Sequence, residues 1–202
     1  ISEFRQLFMS KISSVAVFCG SKAGDDPEDA KEAQRLGEIL VERNIRLVYG
    51  GGGIGLMGII ARTVIDGGGK VTGVIPDFLM KLEVGNPDVD ELIITESMHE
   101  RKRTMFERAD GFVILPGGLG TLDETFEIMT WKQLRQHDKP IVVVNVNGYW
   151  DPFRALIENS IKGGFAHPAI LELVTVVDST DQIMEALENA PEPQEVVLTS
   201  HL

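Results

Sequence analysis

The chain has 202 residues, 43% of them hydrophobic, enough to bury one substantial core in a single domain. A formal net charge of −12 leaves no broad basic surface, so nucleic acid and anionic membranes are excluded as partners and any anion has to be caught locally. No apolar stretch approaches a membrane span, and the single cysteine, Cys19, rules out a disulfide within the chain; the expected setting is soluble, reducing and cytoplasmic.

Residues 1–8 carry no pattern that joins them to the rest of the chain, whereas Met9-Ser10-Lys11 reads as a native start. We therefore expect an expression scar over 1–8, one domain over 9–190, and a mobile tail over 191–202, where Pro191 and Pro193 interrupt any periodicity. Within the domain, short β-branched runs alternate with longer helical patterns. The strand candidates are Val15–Cys19, Arg46–Tyr49, Lys70–Ile75, Glu91–Thr95, Gly111–Leu115, Pro140–Val146 and Leu173–Val177. Their near-continuous apolarity marks central, parallel strands. Between them, Glu28–Arg43, Leu56–Asp66, Ser97–Arg108, Thr121–Gln136, Trp150–Lys162 and Thr180–Leu187 each show one apolar stripe, as crossover helices do. The pattern is that of a doubly wound, Rossmann-like α/β domain, with a mostly parallel sheet covered by helices on both faces.

In such a fold, ligands bind beyond the carboxyl ends of the strands, and the unusual loops all fall there. Gly20-Ser21-Lys22 follows the first strand, the run Gly50–Gly58 the second, Glu96–Lys102 the fourth and Pro116-Gly117-Gly118-Leu119-Gly120-Thr121 the fifth. The last of these joins a strand to a helix near Thr121, so its glycines and the helix start form an anion site suited to phosphate. The Gly50–Gly58 run has the same context and is expected either to be a second phosphate loop or to serve close helix packing.

Glu124 lies one turn into the helix after the Pro116–Thr121 loop, beside the phosphate position, where a carboxylate suits a sugar hydroxyl or a reacting carbon. Ser97-Met98-His99-Glu100-Arg101-Lys102-Arg103 puts three cations at a helix start, against the dipole unless an anion neutralises them; Arg101 and Lys102 are expected to contact ligand and Arg103 to lie outside. The four histidines have no metal-ligand spacing, and neither a Gly-x-Ser-x-Gly elbow nor a Lys-Ser/Thr loop ending is present, so no metal, serine triad or nucleoside triphosphatase loop is expected. Asp77 stands about 20 residues past the glycine run, where a dinucleotide-binding fold places its ribose acid, but no substrate domain remains for an oxidoreductase.

With both motifs in view, the chain resembles the Lonely Guy family of cytokinin riboside 5′-monophosphate phosphoribohydrolases, long misnamed lysine decarboxylases. The family's P-G-G-x-G-T-x-x-E is Pro116 to Glu124, its M-H-x-R-K is Met98 to Lys102, and the likeness also covers Phe18–Ser21 and Tyr49–Gly58. The resemblance implies that Arg101 and Glu124 are the catalytic pair. It further implies substrate contacts from Glu83, Arg101, Lys102, Gly118, Leu119, Gly120, Thr121, Leu122, Asp123, Glu124 and Thr130. The implied reaction is hydrolysis of the N-glycosidic bond of adenosine 5′-monophosphates, plain or N6-prenylated, giving the free base and ribose 5-phosphate, without cofactor or metal and in a homodimer. Glu124 suits that chemistry on its own terms, because a carboxylate stabilises the positive charge that develops at the anomeric carbon. Arg101 suits either the 5′-phosphate or the charge on the departing base. The same fold and glycine loops also resemble molybdenum-cofactor carriers, which hold a phosphate-bearing pterin without turnover.

Overall fold

The computed structural model describes residues 12–80 and 85–191, so the expectations for 1–8, for the segment from 192 onward and for Glu83 lie outside the described residues. Seven strands form one wholly parallel sheet: β1 (Ser14–Phe18), β2 (Arg46–Tyr49), β3 (Val71–Pro76), β4 (Glu91–Thr95), β5 (Gly111–Ile114), β6 (Ile141–Val144) and β7 (Thr175–Val177). Their order is β4-β3-β2-β1-β5-β6-β7. From β1 the chain lays β2, β3 and β4 to one side, then returns to build β5, β6 and β7 on the other side of β1. That reversal makes the carboxyl ends of β1 and β5 the switch point of the sheet.

Among the described residues, six α-helices flank the sheet: α1 (Pro27–Glu42), α2 (Gly55–Asp66), α3 (Met98–Arg108), α4 (Leu119–Gln133), α5 (Asp151–Lys162) and α6 (Ile183–Glu188), the last of them after β7. Period-2 alternation splits their packing cleanly. Val15 and Val17 of β1 face a core that also holds Leu36 and Leu40 of α1, Ile60 and Val64 of α2, and Ile183 and Leu187 of α6. Ala16 and Phe18 face the opposite core, with Met105 of α3, Ile128 of α4, and Phe153 and Ile157 of α5. A fully buried Leu or Ile in either layer contributes about 1.5–3 kcal/mol, and loss of the alternation by one residue would turn both cores inside out.

Local signals set the helix starts. Asp26 caps α1 by accepting the Glu28 N–H at 2.9 Å, with Pro27 at the first helical position. Ser97 caps α3 through the Glu100 N–H at 3.2 Å. The last predicted helix splits into a 3₁₀ turn over Thr180–Gln182, closed by a capping box on Ser179, followed by α6. Among the described residues, no helix is long and apolar enough to cross a membrane.

Candidate active site

β5 leads through Pro116 and Gly117 to Gly118, an extended N-cap (φ −98°, ψ −152°) that supplies no side-chain hydrogen bond to α4. First-turn N–H groups have no intrahelical acceptor, so this end of α4 presents donors and the positive end of a helix dipole. The helix starts at Leu119, two residues before Thr121. Glycines at 118 and 120 argued for a longer loop, but the first turn needs no i−4 bond and tolerates them. A Cβ on Gly118 or Gly120 would meet nothing within 4 Å, whereas one on Gly117 would come within 2.1 Å of Thr121 Oγ1. Open space therefore lies over the second and third motif glycines, and protein fills the space beside the first.

Arg101 is only 5% exposed, rare for a guanidinium. Its Nε donates to the Val74 carbonyl at 3.0 Å and its Nη2 to the Gly50 carbonyl at 2.8 Å, so backbone within β3 and just past β2 fixes the plane of the fork. A Cβ at Gly50 would fall 2.1 Å from Nη2, which makes glycine a condition for seating this arginine. Arg101 and Glu124, itself 8% exposed, line one cavity of about 160 Å³ together with Gly20, Ser21 and Gly118–Thr121. A cation, a carboxylate and an open helix N-terminus thus converge at the switch point.

The Gly50–Gly58 run does something different. Its helix start is already occupied: the Gly20 carbonyl accepts from Leu56 N at 3.1 Å and Met57 N at 3.4 Å. Gly55, at φ +62°, backs onto Ser21, where a Cβ would come within 2.3 Å of the Ser21 carbonyl carbon. Close packing accounts for these glycines, and the Leu56 and Met57 amides are already engaged and not available to an anion.

Lys102 is buried, but its ammonium sits between Asp123 Oδ2 at 3.0 Å and Glu127 Oε2 at 3.1 Å. Burial disfavours its charge, yet the two carboxylates outweigh that and raise its pKa. The side chain ties α3 to α4 and does not line the cavity; nor do Leu122, Asp123 or Thr130. Thr130 is exposed, bonds Phe126 O at 2.7 Å, and stands about 9 Å along the helix from Glu124. Arg103 is exposed and pairs with Glu107 at 2.8 Å, outside the site as expected. Residue types alone did not identify the Val74 and Gly50 carbonyls that hold Arg101, nor Tyr149, whose hydroxyl donates to Gly117 O at 2.6 Å. Tyr149 follows β6 at the same sheet edge, and that position was its available signal.

A family model described as possible lysine decarboxylase matches residues 57–187. A probable cytokinin riboside 5′-monophosphate phosphoribohydrolase of Oryza sativa subsp. japonica is 43% identical over 178 residues, covering 88% of this chain and 80% of that protein. A cytokinin riboside 5′-monophosphate phosphoribohydrolase of Arabidopsis thaliana is 43% identical over 180 residues, covering 89% of this chain and 84% of that protein. The chain belongs to the Lonely Guy family. Both Lonely Guy motifs fall inside the matched span, and their Arg101 and Glu124 share the cavity described above. Among solved structures, the molybdenum cofactor carrier protein of Chlamydomonas reinhardtii superposes with a TM-score of 0.64 at 20% identity, covering 88% of this chain and 96% of that one. At that identity the likeness is one of fold.

Two buried lysines, Lys102 and Lys132, do not suit the Schiff-base role that the family's older decarboxylase description calls for. A Schiff-base lysine reacts as the neutral amine. Lys102 is held charged by two carboxylates, and Lys132, brought down to about 8 by burial, donates to Lys139 O at 3.0 Å away from the cavity.

Proposed function

We propose that this protein hydrolyses the N-glycosidic bond of adenosine 5′-monophosphates, N6-prenylated ones above all, to the free base and ribose 5-phosphate. The observation that carries the reading is the meeting of Arg101, Glu124 and the open N-terminus of α4 in one cavity, in a chain with phosphoribohydrolase relatives. The phosphate goes to the α4 N–H groups and Arg101, where the field is positive. Glu124 then lies beside the ribose. As the C1′–N bond breaks, its electron pair leaves with the base and positive charge builds at C1′; the Glu124 carboxylate stabilises that charge and orients water. Water oxygen bonds to C1′, and one of its protons ends on the base. Lys102 and Asp123 act at one remove, holding α3 against α4 so that Arg101 and Glu124 keep their spacing.

A homodimer in an aqueous, reducing compartment fits the same reading. Leu119, 85% exposed, stands near an apolar groove lined by Leu122, Tyr149, Phe153 and Leu156. A two-fold contact there would cover surface that a monomer leaves wet. Sedimentation of wild type and Leu156→Glu tests this: a dimer that the substitution splits is the expected result.

Function is tested by incubating the protein with AMP, isopentenyladenosine 5′-monophosphate and the matching nucleosides, and following free base by chromatography. Monophosphates should be cleaved and nucleosides left nearly intact. Equal rates on both sink the phosphate assignment, and binding without cleavage identifies a carrier.

A further inference from the structure

Asp29 sits in the first turn of α1, three residues after the Asp26 cap, and is 6% exposed. Its carboxylate has no hydrogen-bond or ion-pair partner among the described residues. Burial raises its pKa, and the neighbouring Asp26 charge raises it further. The side chain is firmly placed: Oδ2 fills the space beside Gly24, where a Cβ would come within 2.7 Å, and Gly24 itself adopts φ +79°. With no donor from the chain, a carboxylate that lines a cavity is open to a donor from outside it.

That cavity measures about 370 Å³ and is also lined by Ser21, Lys22, Leu56 and Tyr149. It adjoins the Arg101–Glu124 cavity, and Gly20, Ser21 and Gly118 line both. Tyr149 has already spent its proton on Gly117 O. The volume has room for more than a monocyclic guest, since about 150 Å³ suffices for benzene; a bicyclic base with a substituent fits. In the reading above the phosphate goes to Arg101 and the N-terminus of α4, which leaves the larger chamber, lined by Asp29 and Lys22, for the base end of the nucleotide.

Resting on the hydrolase reading above, we propose that the larger chamber receives the base end of the nucleotide and that Asp29 is a specificity-determining residue, accepting a hydrogen bond from a hydroxyl on the N6 substituent. A side chain ending in O–H satisfies the carboxylate, whereas a purely hydrocarbon one leaves it unpaired and desolvated. Sites built around a buried acceptor discriminate strongly against ligands that lack the donor.

The experiment compares kcat/KM for AMP, isopentenyladenosine 5′-monophosphate and its terminally hydroxylated counterpart in wild type, Asp29→Asn and Asp29→Ala. Wild type should favour the hydroxylated substrate over the hydrocarbon one by about tenfold or more, the range of one hydrogen bond to a charged group. Asp29→Ala should abolish that preference while leaving AMP within about twofold, and Asp29→Asn, which keeps a carbonyl acceptor, should recover part of it. An unchanged preference in Asp29→Ala, or an equal loss on all three substrates, overturns the assignment. Calorimetric affinities for the two prenylated nucleotides separate this from a failure of the hydrolase reading, because they report the same preference without turnover. Melting temperature guards against a structural role: removing an unpaired buried carboxylate should leave it unchanged or raise it, and a drop counts against the proposal.

Discussion

Two glycine-rich loops end neighbouring parts of this sheet, and they use their glycines in opposite ways. In the run from Gly50 to Gly58, the missing side chains are replaced by the protein itself: the Arg101 guanidinium beside Gly50, the Ser21 backbone against Gly55, the Gly53 carbonyl against Gly58. In the Pro116–Thr121 loop, Gly118 and Gly120 face open space. One loop builds the socket and the other leaves room for the guest. Glycine content does not separate the two roles; the packing partner of each missing Cβ does.

The sharpest way to break this comparison is at the socket. Gly50→Ala and Arg101→Ala should each lower kcat/KM about a hundred- to a thousandfold, the cost of one preorganised charge-stabilising group, and the double variant should be little worse than either alone. Independent, multiplying losses would show that Gly50 serves something other than Arg101. Next in size is Glu124→Gln, which keeps the shape and removes the charge. Single-turnover cleavage should fall about a hundredfold, roughly 3 kcal/mol, while calorimetric affinity for AMP holds or tightens. Weak binding with a near-normal rate would make Glu124 a binding residue.

A smaller effect tests the guest side. Gly120→Ala removes a poor helix former where nothing stands in the way, so thermal stability should rise by about 0.5–1 kcal/mol as nucleotide affinity drops. Affinity for the nucleoside should barely change. If the protein instead loses stability, the open space at Gly120 is not open. Smallest of all, Arg103→Ala removes only an exposed i, i+4 pair with Glu107 and should leave activity within about twofold.

The strand runs were readable because central parallel strands bury both faces, so β1, β2 and β5 appear as unbroken apolar stretches. Arg101 and Glu124 were legible from motif and position, since sheet topology sends both to the same edge. Other features depend on distance in space. Lys102 and Arg101 are adjacent in sequence and equally cationic, yet a 100° turn of the helix sends one to Asp123 and Glu127 and the other to the Val74 and Gly50 carbonyls. Asp29 looks like an ordinary first-turn acid favoured by the dipole, and only its burial beside a cavity distinguishes it. The start of α4 was misplaced by two residues because helix propensity was weighed where capping geometry decides.

Gly20 carries a consequence for where binding energy goes. Its N–H donates to Pro116 O at 3.0 Å while its carbonyl receives the first amides of α2, so β1, the phosphate loop and the glycine-run helix are stitched together through one residue. The ordering entropy of these loops is lost during folding and not again at each encounter with substrate. Nothing in that stitch has to open or shut for a nucleotide to be held. On the hydrolase reading, the binding energy of a nucleotide at this edge is then free to act on the bond that breaks.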